Sequence, residues 1–181
     1  MRYKYSIMIT IICSTNRNNS VSSIIADIYK ENLDELGAES EIVDLKDLPR
    51  DFIVSALYEQ SGKNEDFNPI REQMKQSEKF VFIIPEYNGS FPGVLKTFID
   101  GLKFPDTFRG KKCALVGVSS GMQGGVLAMS HLTDIMNYCG TSVLAFKPKL
   151  PGIDQHLKDG KLTHEKYNEV LKRQASSFVD F

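Results

Sequence analysis

The stretch Phe80-Val81-Phe82-Ile83-Ile84-Pro85-Glu86-Tyr87-Asn88-Gly89-Ser90, continued by Phe91-Pro92-Gly93-Val94-Leu95-Lys96, decides the fold. Five apolar residues in a row, aromatic and β-branched, read as a strand buried on both faces. The amphipathic pattern from Pro92 onward reads as a helix, which makes the residues from Pro85 to Ser90 a strand-to-helix loop. Open α/β sheets hold their ligands at such junctions. This loop offers a carboxylate at Glu86, a phenol ring at Tyr87, a carboxamide at Asn88 and a permissive backbone at Gly89, a set suited to a planar ligand with polar edges. Asn88-Gly89 is equally an ordinary turn dipeptide, and taken alone the loop reads first as a tight turn. Two further loops change that balance.

Outward from this stretch, β-rich runs alternate with helical patterns. Strands are expected over 7–13, 41–44, 79–84, 112–118 and 141–146, and helices over 21–36, 69–77, 92–102, 124–138 and 164–178. In the first helix Ile24, Ile25, Ile28, Tyr29, Leu33 and Leu36 recur at helical spacing, and Gly37 supplies a C-terminal cap. Such alternation predicts right-handed βαβ crossovers and an α/β, doubly wound parallel sheet with helices on both faces. At 181 residues the chain fits one domain, 1–181. Residues 46–68 are mixed in character and long for a connection, the mark of a functional or interface loop. Their apolar members Leu48, Phe52, Ile53, Leu57 and Tyr58 suit docking either on a partner subunit or on the chain's own sheet edge.

With 22 basic and 23 acidic residues and a net charge of -1, no overall field draws the chain to nucleic acid or to an anionic membrane. No apolar run approaches the roughly 20 residues that span a bilayer. Met1-Arg2-Tyr3-Lys4 and the short apolar run behind it read as the lead into a first strand, not as a secretory signal. Cys13, Cys113 and Cys139 sit in or beside apolar runs, without C-x-x-C spacing. That pattern argues against a disulfide framework or a zinc site and fits a reducing cytoplasm. His131, His156 and His164 have no ligand spacing, so no metal is expected. Met122, Met129 and Met136 recur every seven residues and read as a core stripe or subunit contact.

The loop after the first strand, Ser14-Thr15-Asn16-Arg17-Asn18-Asn19-Ser20, leads into a helix. Its hydroxyls, the Arg17 guanidinium and the unpaired amides of a helix start suit a doubly charged phosphate. Ser20 alone would serve as an N-cap, but Ser14, Thr15, Asn19 and Ser22 clustered around an Arg go beyond capping. After the fourth strand, Ser119-Ser120-Gly121-Met122-Gln123-Gly124-Gly125 brings three glycines that let backbone approach a ligand closely. The three loops outline one groove with phosphate at one end and a flat ring at the other, which describes flavin mononucleotide (FMN).

On these residues the chain resembles the NADPH-dependent FMN reductase family, over residues 5 to about 147. That family carries a Gly-Ser-x-Arg-x-x-Ser loop, a Pro-Glu-Tyr-Asn loop and a Gly-rich loop after the fourth strand. The second motif is the specific one, since Pro85-Glu86-Tyr87-Asn88-Gly89-Ser90 is followed here by Pro92-Gly93-Val94-Leu95-Lys96. The resemblance implies a flavodoxin-like sandwich with a five-stranded sheet in the order 2-1-3-4-5. It implies that Thr15, Arg17, Ser20 and Ser22 hold the FMN phosphate with Asn19 among the cofactor-binding residues beside them, that Pro85, Glu86, Tyr87, Asn88 and Gly89 border the isoalloxazine, and that Ser119 and Gly121 approach it from the far side. It further implies hydride transfer from NADPH or NADH through FMN to a quinone, azo compound, free flavin or metal oxyanion, by a homodimer or homotetramer. No side chain is assigned as a catalytic acid or base, because the flavin carries that chemistry. One departure stands out: the family's first Gly is Ser14 here, which weakens the phosphate site if that position needs a backbone geometry only Gly adopts freely.

Two other readings share this fold plan. A low-molecular-weight phosphatase needs five residues between its Cys and Arg; three separate Cys13 from Arg17, and Asn19 stands where the Arg belongs. A flavodoxin-like electron carrier would bind FMN without using nicotinamide, but such carriers are strongly acidic.

Overall fold

Side chains along the central strand β3 (Lys79–Pro85) alternate between two cores. Val81 and Ile83 enter one, while Phe80, Phe82 and Ile84 enter the other. The computed structural model describes residues 8–181, so the sequence readings of residues 1–4 and of a strand beginning at Ile7 lie outside the described residues. β1 (Ile9–Cys13), β2 (Ser40–Asp44), β4 (Lys112–Val118) and the short β5 (Ser142–Val143) run parallel to β3 in the order β2-β1-β3-β4-β5. β1 and β4 are buried almost throughout, as strands covered on both faces must be. The order reverses between β1 and β3, which opens a crevice at their carboxyl ends.

Helices α1 (Val21–Glu35) and α6 (Glu165–Asp180) cover one face, contributing Ile25, Tyr29, Leu33, Leu171 and Phe178 to its core. On the other face lie α3 (Asn68–Gln76), α4 (Gly93–Gly101) and α5 (Val126–Tyr138), with Met74, Leu95, Phe98, Leu132 and Met136. α1 ends as its sequence requires. Gly37 takes a φ of 69° and donates to Asp34 O, and Ala38 donates to Leu33 O, closing the helix in a Schellman motif. Met129 and Met136 are core residues, but Met122 lies in the preceding loop and is almost fully exposed.

The fifth strand departs from expectation. In place of one run over 141–146 there are two short pieces, β5 (Ser142–Val143) and β6 (Lys149–Leu150), both paired with β4. Among the described residues the sheet keeps the expected order, with its fifth position shared by these two pieces beside β4. From Cys113 to Gly117 β4 advances four positions, while its partner advances six from Val143 to Lys149. Two extra residues must leave the ladder, and Pro148 has no N–H with which to hold its place. Gln174 of α6 bridges the gap: its buried Nε2 donates to Leu115 O at 3.0 Å and to Phe146 O at 2.7 Å.

Residues 46–68 fold onto the chain itself, through a short helix α2 (Phe52–Ser55) and two 3-10 turns. Phe52 and Leu57 are buried, with Phe52 packed edge-on against Phe67 at 4.6 Å, whereas Ile53 and Tyr58 remain exposed. A small antiparallel hairpin, β7 (Leu157–Lys158) and β8 (Lys161–Leu162), precedes α6 and had no counterpart in the sequence pattern.

Candidate functional site

The crevice at the strand reversal is a groove of about 550 Å³, within the range of roughly 300–1,000 Å³ usual for small-molecule sites. Its first wall is the loop from β1 to α1. Ser20 caps α1: its Oγ accepts from Ser23 N at 3.1 Å, and Ser23 Oγ returns a bond to Ser20 O at 2.7 Å. The amides of the first turn, including Val21 and Ser22 at the groove, have no partner within the helix. Arg17 stands exposed at the same end and belongs to none of the ion pairs formed among the described residues. An anion is the ligand this end suits.

Ser14, the departure from the family pattern, is buried, and its Oγ donates to Ile12 O at 3.2 Å. Among the described residues the non-glycine residues at positive φ are Asn19, Tyr58, Asn88 and Asp159. Ser14 is not one of them, so its position makes no demand that a Ser resists. Asn19 is the loop's left-handed residue, with a φ of 51°, a geometry Asn tolerates.

The opposite wall is the loop leaving β3. Asn88 (φ 51°) and Gly89 (φ 75°) form the two central positions of a type I′ turn, closed by Tyr87 N to Ser90 O at 2.7 Å and Ser90 N to Tyr87 O at 3.0 Å. The turn and the ligand wall divide the motif between them. Pro85, Glu86 and Tyr87 line the groove, while Asn88 is exposed at the tip and neither it nor Gly89 belongs to the lining. Thr15 Oγ1 and Tyr87 Oη are 2.9 Å apart, which ties the first wall to the second. On the outer side Ser90 Oγ meets His131 Nδ1 of α5 at 2.9 Å.

The third wall follows β4. Val118, Ser119 and Ser120 line the groove; Gly121 does not, its amide being turned to Ser119 Oγ at 3.0 Å. This loop folds back tightly over its own strand, so that a Cβ at Gly117 would collide with the Gly124 carbonyl. Behind it Ser119 N donates to Leu150 O, Ile153 N to Ser119 O and Gly152 N to Gly121 O. These bonds bring Ile153 and Asp154 into the lining, and Asn18 enters it from the first wall; the sequence pattern singled out none of the three.

Of the residues expected at a flavin site, the structure brings Thr15, Arg17, Asn19, Ser20 and Ser22 together with Pro85, Glu86, Tyr87 and Ser119 around one groove. Glu86 is notable for its surroundings: its Oε2 is buried with no hydrogen-bond partner. Buried polar atoms are satisfied as a rule, so this oxygen calls for a donor from a ligand. Cys13, below the groove, lies 3.7 Å from Ser20 Oγ, and burial, reinforced by the Asp44 charge, pushes its thiol up to about 12. Such a thiol is inert at neutral pH. No group of His, Cys, Asp and Glu among the described residues has the arrangement to hold a metal ion, and no helix there is long and apolar enough to cross a membrane.

Known proteins place this architecture. Residues 7–146 match the family model described as NADPH-dependent FMN reductase. The chain is 30% identical over 146 residues to an NAD(P)H-dependent FMN reductase of Pseudomonas aeruginosa, covering 76% of this chain and 75% of that one. It is likewise 30% identical over 135 residues to a quinone reductase of Escherichia coli, covering 69% of this chain and 72% of the relative. In fold it is similar to a flavoenzyme NAD(P)H:(acceptor) oxidoreductase of Paracoccus denitrificans, with a TM-score of 0.78 at 23% identity over 96% of this chain and 95% of that one. An archaeal flavodoxin shares the fold at a TM-score of 0.63 and 14% identity, over 96% of each chain. With three loops of the expected kinds around one groove and residues 7–146 of the chain's 181 matching the family model, the chain belongs to the NADPH-dependent FMN reductase family of oxidoreductases.

Proposed function

We propose that the chain holds FMN in this groove and uses it to pass reducing equivalents from NADPH or NADH to a small acceptor of the quinone type. The observation that carries the reading is the Thr15–Tyr87 contact. It joins an anion-suited helix start to the Pro85–Tyr87 wall in a single cleft. The donor set fits FMN end to end. Arg17 with the first-turn amides of α1 suits the phosphate, and the unpartnered Glu86 Oε2 suits an N–H or O–H of the ligand. The quinone-type acceptor is favoured by relatives named quinone reductase in Escherichia coli and Pseudomonas putida.

Bound FMN supplies the hydride chemistry, and the protein supplies position and electrostatics. Arg17, Ser20 and Ser22 anchor one end, while Pro85, Glu86, Tyr87 and Ser119 orient the other. Asn88, Gly89 and Gly121 act by shaping the loops that carry those residues. Cys13 takes no part, being protonated and already engaged with Ser20.

The test is steady-state oxidation of NADPH and of NADH with menadione as acceptor, using protein reconstituted with FMN. FMN-dependent turnover with either nicotinamide is the expected result. Flavin binding without nicotinamide turnover would leave an electron carrier instead.

A further inference from the structure

One wall of the groove lies beyond the span that matches the family model. The match ends at residue 146, yet Ile153 and Asp154 line the cavity, presented by the segment between β6 and β7. This segment is firmly held. Leu150, Gly152 and Ile153 bond through their backbones to Ser119 and Gly121, Tyr167 Oη donates to Pro151 O at 2.7 Å, and the Ile153 side chain is buried in the core. Asp154 itself is exposed to the groove and forms none of the ion pairs among the described residues.

The charge pattern says what Asp154 is for. Among the lining residues Arg17 is the one cation, against two carboxylates, Glu86 and Asp154. A dianionic phosphate belongs with Arg17 and the α1 amides, and Asp154 beside it would repel it. A carboxylate facing a groove exchanges solvent donors for those of a ligand that enters, and those an FMN molecule offers between its phosphate and its ring are the ribityl hydroxyls. Glu86, carried by the ring-side loop, faces the groove from the opposite wall. We propose that Asp154 accepts hydrogen bonds from the ribityl hydroxyls of the flavin and thereby selects a polyhydroxylated chain between ring and phosphate. This assignment rests on the flavin reading of the groove given above.

Three ligands separate the contributions: FMN, riboflavin, which lacks the phosphate, and lumiflavin, which has a methyl group in place of the ribityl chain. Binding of each is titrated by flavin fluorescence quenching to the wild-type apoprotein and to the Asp154→Ala and Asp154→Asn variants. Both substitutions fall at an exposed side chain, and thermal unfolding checks that the fold is retained. Asp154→Ala is expected to weaken FMN and riboflavin each by about tenfold and to leave lumiflavin within about twofold of wild type. Asp154→Asn, which keeps an acceptor oxygen without the charge, is expected to fall between. Equal loss for lumiflavin would make the residue a mere part of the wall and overturn the assignment. Unchanged FMN and riboflavin, or FMN binding that tightens when the charge is removed, would overturn it too. Wild-type protein that binds no FMN would instead overturn the flavin reading, so the two failures are distinct.

Discussion

Thr15 Oγ1 and Tyr87 Oη share a hydrogen bond of 2.9 Å between loops that lie 72 positions apart in the chain. Thr15 is buried and its hydroxyl also accepts from Arg17 N at 3.3 Å, so the contact couples the anion end of the groove to the Pro-Glu-Tyr wall. Tyr87→Phe keeps the ring and removes only the link. A neutral hydrogen bond of this sort contributes about 1 kcal/mol to the folded state, so the melting temperature should fall by roughly 2–4 °C, and FMN affinity should fall by up to about fivefold as the two walls come apart. Equilibrium titration of the variant with FMN checks this.

Arg17 gives a sharper contrast, because its role is toward charge alone. Arg17→Ala should weaken FMN by about 10- to 100-fold, the range of a charge-assisted hydrogen bond, and leave riboflavin binding nearly unchanged. Raising the ionic strength should weaken FMN binding by the wild type more than by the variant, since an exposed guanidinium is screened by salt. Paired titrations at low and high salt make the measurement.

For Cys13 the expectation is silence. Burial and then the Asp44 charge hold its thiol near 12, while an unfolded Cys ionises near 8.5. The folded protein should therefore resist alkylation at Cys13 by iodoacetamide at pH 8, as followed by mass spectrometry, and should hydrolyse no phosphate ester. The sign of the pH effect follows from linkage. Between about 8.5 and 12 the unfolded state has lost this proton and the folded state keeps it, so the residue's contribution makes stability fall as pH rises through that window. Cys13→Ala should remove that component of the alkaline slope in denaturant titrations.

Gln174 carries the split fifth strand. Its Nε2 serves the carbonyls of Leu115 and Phe146, which the two inserted residues leave without ladder partners. Gln174→Ala leaves the buried Leu115 carbonyl and the half-buried Phe146 carbonyl unpaired at a cost of about 3 kcal/mol, lowering the melting temperature by roughly 6–12 °C. Hydrogen exchange should quicken first at β6 and at the Ser119–Leu150 pair behind the groove.

The same locus explains where the sequence was readable. β4 matches its apolar run from Lys112 to Val118 because burial on both faces leaves nothing but side-chain type to set its limits. α1 was legible from local signals, Ser20 at its start and Gly37 after its end, and Asn88-Gly89 announced its turn. The fifth strand was not legible, since its break depends on a Gln some thirty residues further along reaching back to two carbonyls. Asp154 was hidden for a similar reason: Pro151-Gly152 signals a turn, but only the backbone bonds to Ser119 and Gly121 bring that turn to the groove. Ser14 shows the reverse case. It looked like a defect in the phosphate loop, yet its backbone lies outside the positive-φ region, and the left-handed residue of that loop is Asn19.

Whether the groove holds FMN is read from the visible spectrum of the purified protein after incubation with FMN and removal of the excess. A yellow protein with a flavin absorption band, releasing one FMN per chain on heating, is the predicted result. A colourless protein that fails to retain or quench added FMN would contradict the assignment of the Arg17, Tyr87 and Ser119 loops to a flavin site.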